Sequence, residues 1–270
     1  MKRILVPIDF SRSSGLAAHY AVGIAKQLSA TVEIVHVINI DPSTRLPNWK
    51  KLEEELVKSA QKDADLFMAD LNDSGVTYKP LFGFPFQDVV EEHALKTKTD
   101  IIVMGSTGAS GLKKLVGSNA AALIDKSQIP VLVVPVDAKF NGLAKIVYAS
   151  DMTQLNEEIK PIARFTKPFD GELTVLHISN KDQSDWEDHS LLVQTLRRAT
   201  GYDRIRFHED KNENIAEGIE EFVTKEEPDL LIMFTHKLAL YEKVFGKSVT
   251  RQLAHHNRIP LLAFNGYFSR

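Results

Sequence analysis

Ile4-Leu5-Val6-Pro7-Ile8-Asp9-Phe10-Ser11 is an apolar run that stops at an aspartate, with a hydroxyl residue two positions later. Ile146-Val147-Tyr148-Ala149-Ser150-Asp151-Met152-Thr153 has the same form. A lone match of this kind would mean little. Three more pairs follow in the same order. Thr31-Val32-Glu33-Ile34-Val35-His36-Val37-Ile38-Asn39 answers to Glu172-Leu173-Thr174-Val175-Leu176-His177-Ile178-Ser179-Asn180. Asp100-Ile101-Ile102-Val103-Met104 answers to Asp229-Leu230-Leu231-Ile232-Met233, and Ile129-Pro130-Val131-Leu132-Val133 to Ile259-Pro260-Leu261-Leu262-Ala263. The chain therefore reads as one unit written twice, over residues 1–138 and 141–270. The join falls in the short polar stretch Asp137–Gly142. So short a linker is expected to hold the copies side by side.

Within each copy, strand-like runs alternate with helix-like ones. The strands of the first are expected at 3–8, 31–38, 77–82, 100–104 and 130–135. Those of the second are expected near 144–149, 172–178, 203–208, 230–234 and 260–264. The clearest helix is 50–73, where Leu52, Leu56, Ala60, Ala64, Phe67 and Leu71 recur at spacings of three and four. Pro85 is expected to open the next helix, where its missing N–H costs little, with Val90, Ala94 and Leu95 inward. The first, fourth and fifth strands are almost wholly apolar, as parallel strands covered on both faces are. The pattern predicts two tandem α/β domains, each a doubly wound, five-stranded parallel sheet.

Composition narrows the function. The 270 residues are 43% hydrophobic and 26% charged, with a net charge of −3. There is no overall basic field to draw the chain to nucleic acid or anionic lipid. No apolar run approaches the ~20 residues of a membrane span. Met1-Lys2-Arg3 leads into an apolar run that Asp9 interrupts, so it reads as a first strand and not a secretory leader. With no cysteine, thiolate metal sites, disulfides and cysteine nucleophiles are excluded. That fits a reducing cytoplasm.

In doubly wound sheets, ligands bind beyond the carboxyl ends of the strands, where the strand order reverses. That directs attention to Asp9, Val37 and the segment after Met104, Gly105-Ser106-Thr107-Gly108-Ala109-Ser110-Gly111-Leu112-Lys113-Lys114-Leu115-Val116-Gly117-Ser118-Asn119. It runs into an alanine-rich helix, Ala120 to Lys126. Glycines there let main chain approach a ligand closely. The free N–H groups at the start of the helix favour an anion such as phosphate, and Ser118 can cap the helix or bond a phosphate oxygen. The alternative is that the glycines only make turns.

This loop resembles the signature of the universal stress protein family: Gly, two residues, Gly, nine residues, Gly, then Ser or Thr. Val6–Ser11 is similar to that family's first strand, and His36-Val37 to its second. The resemblance runs over the whole chain, twice. It implies strand order 3-2-1-4-5 and, in members carrying the signature, ATP binding, alone or with Mg2+. The site it implies here is Pro7, Ile8, Asp9, Val37, Met104, Gly105, Thr107, Gly108, Gly117, Ser118 and Asn119. Asp9 would meet the ribose or adenine side and the Val37 main chain the adenine. Gly105, Thr107 and Gly108 would line ribose and phosphates, and Gly117, Ser118 and Asn119 would hold the phosphate tail. One departure stands out. Eight residues, Ala109 to Val116, separate Gly108 from Gly117, one fewer than the signature has.

The second copy departs further. Phe234 stands for Gly105, Lys237 for Gly108 and Lys247 for Ser118, while Gly246 is kept. The second copy is expected not to bind ATP, and Asp151 to be a turn residue. The expected function is a stress-response regulatory protein that binds ATP in its N-terminal copy and meets a protein partner. The alternatives are an interaction scaffold without nucleotide or a slow ATP hydrolase, since only Asp9, Lys113 and Lys114 lie near the loop. By the same resemblance, the copies are expected to pack as an internal pseudo-dimer through their fifth strands, and two chains could pair as a homodimer.

Other motifs read as structural. Gly246-Lys247-Ser248 imitates the end of a P-loop, but the earlier glycine it needs is Tyr241. His255 and His256 are adjacent, so on a helix they face apart and make no metal pair. His36 and His177 are expected to be hydrogen-bonded packing residues, there being no nucleophile beside them. Trp49 and Trp186 each begin a long helix.

Overall fold

The computed structural model describes residues 1–39, 49–71, 73, 75–106, 118–179, 189–234 and 259–265. The chain divides into two units, Met1–Phe140 and Asn141–Arg270.

The N-terminal unit alternates strand and helix throughout: β1 (Arg3–Ile8), α1 (Arg12–Leu28), β2 (Thr31–Asn39), α2 (Trp49–Leu71), β3 (Val76–Gly83), α3 (Phe86–Thr97), β4 (Ile101–Gly105), α4 (Ser118–Lys126) and β5 (Val131–Val134). β1 pairs in parallel with β2 on one side and β4 on the other. β3 adds to β2 and β5 to β4, so the order is β3-β2-β1-β4-β5. The first crossover runs outward from β1 to one edge and the later one returns past it. The strand order thus reverses between β1 and β4.

The C-terminal unit repeats the order with β6 (Lys145–Ala149), α5 (Leu155–Thr166), β7 (Glu172–Ser179), α6 (His189–Thr200), β8 (Ile205–Lys211), α7 (Ile215–Glu226), β9 (Leu230–Phe234) and β10 (Leu261–Phe264). Its parallel pairings are β6 with β7, β6 with β9, β7 with β8 and β9 with β10.

Each sheet has the burial its sequence asks for. Ile4, Leu5, Val6, Ile102, Val103, Leu132 and Val133 are buried, as are Ala17, Ala18 and Ala21 on α1. Small residues on α1 let it lie close to the sheet, and every apolar side chain removed from water there stabilises the layer. One repeated carboxylate ties each sheet at its amino end. Asp100 Oδ2 accepts from the backbone N–H of Lys2 at 2.6 Å and of Arg3 at 2.9 Å. Asp229 Oδ2 accepts from Ala144 and Lys145, both at 2.8 Å.

Two helix faces depart from their apolar pattern. Leu56 on α2 is 37% exposed and Leu95 on α3 is 46% exposed, though both were expected inward. On α3 the inward place is taken by His93, whose Nε2 lies 2.9 Å from Glu33 Oε2 on β2. Val90, His93 and Ala94 form the i, i+3, i+4 face, and Leu95 lies off it, so helical geometry turns Leu95 outward and the buried His93 is satisfied by Glu33. Pro85 is the N-cap of α3 and not its first helical residue, following a cis Phe84–Pro85 bond. Trp49 does begin α2, whereas Trp186 lies outside the described residues.

Candidate functional site

The reversal of strand order between β1 and β4 makes the carboxyl ends of these strands the place to look for a ligand. β1 ends at Ile8, and α1 begins at Arg12 after three intervening residues. The intervening turn is built by local hydrogen bonds. Asp9 Oδ1 accepts from Ser11 N–H at 3.1 Å, and Ser11 Oγ accepts from Ser14 N–H at 3.3 Å as the cap of α1. An aspartate closing an Asx turn and a serine capping the helix satisfy N–H groups that the first turn would otherwise leave unpaired. Phe10 between them has φ 59°, the left-handed region that side chains disfavour. Its ring lies against His36, with centroids 4.6 Å apart, and meets Phe67 of α2 edge-on at 6.1 Å.

His36 Nδ1 lies 2.9 Å from the Ile8 carbonyl oxygen. A carbonyl only accepts, so Nδ1 carries the proton and donates. His177 Nδ1 does the same to the Ser150 carbonyl at 3.0 Å. Both histidines are hydrogen-bonded packing residues, as the sequence implied.

Across the switch point, Gly105 ends β4. A Cβ added there would fall 2.3 Å from Ser13 Oγ and 2.8 Å from the Ser13 carbonyl oxygen. The first turn of α1 therefore presses on this glycine, and only a residue without a side chain fits. This is a packing reason for Gly105, distinct from the ligand approach and the turn-making that the sequence suggests for the loop glycines. Ser106 follows, buried, with its N–H bonded to the Val134 carbonyl at 3.0 Å. α4 begins at Ser118, which is its first helical residue, and both Ser118 and Asn119 are exposed.

Of the expected site residues, Pro7, Ile8 and Asp9 thus stand at the end of β1. Val37 stands near the end of β2, Met104 and Gly105 at the end of β4, and Ser118 and Asn119 at the start of α4. Thr107, Gly108 and Gly117 lie outside the described residues, as do Lys113, Lys114, Lys237, Tyr241, Gly246, Lys247, Ser248, His255 and His256. Among the described residues, no three His, Asp or Glu side chains converge as a metal cage.

The C-terminal unit keeps the turn and changes what surrounds it. Asp151 Oδ1 accepts from Thr153 N–H at 2.9 Å and from Thr153 Oγ1 at 2.7 Å. Met152 takes the left-handed conformation at φ 68°. Asp151 therefore behaves as the turn residue it was expected to be. In register, Phe234 opposite Phe264 takes the place of Gly105 opposite Val134. The Phe234 ring is 1% exposed, stacked on Phe264 with centroids 5.4 Å apart and edge-on to Tyr148 at 6.1 Å. Tyr148, the counterpart of Val6, donates its hydroxyl to Glu158 Oε2 in the first turn of α5. Glu158 is wholly buried. Burial first, and the adjacent Glu158 carboxylate second, push the Tyr148 hydroxyl far above the usual tyrosine range. Sequence reading missed this pair, because a glutamate in the first helical turn reads as a solvated, dipole-matched residue.

The fold and this corner define a doubly wound α/β protein whose ligand site would lie at the β1–β4 switch point. The family model of the universal stress protein family matches residues 1–135 and again 145–265. The chain belongs to the universal stress protein family, with two tandem domains of it. A universal stress protein of Methanocaldococcus jannaschii, MJ0531, is 37% identical over 139 residues, which are 49% of this chain and 81% of that protein. A solved universal stress protein from Archaeoglobus fulgidus DSM 4304 covers 97% of this chain and 98% of its own, with TM-score 0.72 and 18% identity, and so shares the fold end to end. A universal stress protein solved in complex with cAMP is 25% identical over 49% of this chain and 96% of its own, with TM-score 0.39.

Proposed function

We propose that this protein is a cytoplasmic stress-response regulator that binds ATP in its N-terminal unit and not in its C-terminal one. The observation that carries this reading is the difference between the two corners. At the end of β4 stands Gly105, half-buried and without a side chain, packed by Ser13 of α1 on the side a Cβ would take, and Asp9 at the end of β1 is exposed. At the end of β9 the same place is filled by the buried ring of Phe234. The glycine-rich stretch from Gly105 to Asn119 supports it, since main-chain N–H groups at a helix start suit a phosphate tail. In this reading Pro7, Ile8, Asp9 and Val37 serve the nucleoside side. Met104, Gly105, Thr107 and Gly108 serve the ribose and phosphates, and Gly117, Ser118 and Asn119 the phosphate tail. Any Mg2+ would arrive with the phosphates, because it is commonly held by one or two carboxylates plus phosphate oxygens and not by a dedicated protein cage. ATP would regulate by favouring one of two states toward a protein partner.

The test is direct. The protein is purified without added nucleotide and denatured, and the supernatant is chromatographed. A single equivalent of ATP per chain is expected. Gly108→Val should abolish calorimetric binding of ATP with Mg2+, while Lys237→Val leaves it intact. Absence of nucleotide in the supernatant together with no heat on adding ATP and Mg2+ would overturn the proposal in favour of an interaction scaffold. Release of ADP with steady phosphate turnover would make the protein a hydrolase instead.

A further inference from the structure

We infer that His36 is a positioning residue for the nucleoside end of the site, holding Asp9 in place without itself meeting the ligand. The inference rests on the ATP reading above and deepens it. Asp9 sits in the gap between β1 and α1, where neither a strand ladder nor a helix dictates its direction. The chain on both sides of it is fixed by one imidazole. On the amino side, His36 Nδ1 donates to the Ile8 carbonyl at 2.9 Å. On the carboxyl side, the His36 ring backs the Phe10 ring at 4.6 Å, and Phe10 is the residue held at φ 59°. A side chain in the left-handed region persists only when its surroundings over-determine it. Here the Asx turn that Asp9 closes on Ser11 N–H does so, with the ring contacts of Phe10 to His36 and Phe67 added to it. With Ile8 clamped, Phe10 pinned and Asp9 Oδ1 accepting from Ser11 N–H at 3.1 Å, the exposed Asp9 carboxylate is aimed before any ligand arrives. Ordering a group in advance removes a cost that binding would otherwise bear.

The C-terminal unit shows which part of this arrangement the two units share. His177 donates to the Ser150 carbonyl at 3.0 Å, and Met152 takes the same left-handed turn without an aromatic ring. The histidine clamp therefore shapes the turn in both units. In the N-terminal unit the Phe10 ring lies tilted against the histidine, and β4 ends in Gly105. In the C-terminal unit it stands beside a corner occupied by Phe234. A purely packing role would be filled equally well by an apolar residue of similar volume, and that substitution makes the test.

His36→Leu keeps the volume and removes the donor. His36→Asn keeps an N–H near the position of Nδ1. Binding is measured by calorimetry with ATP, and by competition with inorganic tripolyphosphate, which has the phosphate tail and no nucleoside. His36→Leu should weaken ATP roughly tenfold, as loss of preorganisation does, and leave tripolyphosphate competition unchanged. His36→Asn should recover most of the ATP affinity. If His36→Leu does not fold, Phe10→Gly, which tolerates the left-handed turn and lacks the ring, must show the same split. ATP affinity unchanged in the variants overturns the inference and leaves the ATP reading standing. So does a parallel loss of ATP and tripolyphosphate that tracks a fall in melting temperature. No ATP binding by the unmodified protein overturns the reading itself, and the inference with it.

Discussion

Gly105 and Ser13 are in contact through the space a side chain would occupy: a Cβ on Gly105 would lie 2.3 Å from Ser13 Oγ and 2.8 Å from the Ser13 carbonyl carbon and oxygen. The hydroxyl could rotate away, but the backbone of the first turn of α1 cannot move without disturbing the Ser11 cap. The glycine at the end of β4 is thus required by the packing of α1 against β4, whatever else it does.

Gly105→Ala is expected to destabilise the N-terminal unit by about 1–3 kcal/mol, the usual cost of overpacking. Urea unfolding compared with the unmodified chain measures it. An unchanged midpoint would mean that α1 can withdraw from β4 freely.

Phe234 makes the opposite case. It is 1% exposed between Phe264 and Tyr148, so Phe234→Ala should cost about 3–5 kcal/mol through lost burial and the cavity left behind. It should not create ATP binding, because Lys237 and Lys247 remain in the sequence. An ATP titration that gained a second equivalent would show that the ring alone closes the C-terminal corner.

Tyr148 should leave a mark at high pH. Its hydroxyl donates to the buried Glu158 and ionises far above the ordinary value of 10.0. The unfolded chain loses this proton near pH 10 while the folded one keeps it. Stability from this group is therefore whole below about pH 10 and is lost as pH rises further. Tyr148→Phe should cost about 1–3 kcal/mol at neutral pH and flatten the alkaline fall. Equal slopes above pH 10 in both proteins would contradict this.

The two sheet ties should be equivalent. Asp100→Ala frees the N–H groups of Lys2 and Arg3, and Asp229→Ala those of Ala144 and Lys145. Each set is exposed and can turn to water, so each change should cost about 1 kcal/mol. Unfolding midpoints of the two variants check whether the repeat holds in energy as well as in geometry.

Much of the architecture was legible because apolar runs of strand length, parallel and buried on both faces, leave few alternatives. Four strands of each unit follow the paired segments, the spatial order 3-2-1-4-5 is the one the family resemblance implies, and the strand ends fall within a residue or two of expectation except at β8, which ends three residues later, at Lys211. Helix faces were less legible where the residue on the inward face is polar: α3 buries His93 beside Val90 and Ala94, paired with Glu33, and turns the apolar Leu95 out.

What the amino-acid order determined by itself was the repeat, the α/β class, and the asymmetry between a glycine-rich loop and its Phe- and Lys-bearing counterpart. These are local patterns, carried by residues near one another in the chain. Tertiary structure alone decided that Gly105 answers to Ser13, that His36 clamps Ile8 and backs Phe10, and that Glu158 is buried against Tyr148. Each joins residues from different elements. Whether a glycine is a turn, a packing contact or a ligand cradle, or a glutamate is solvated or buried, depends on what the fold brings opposite it.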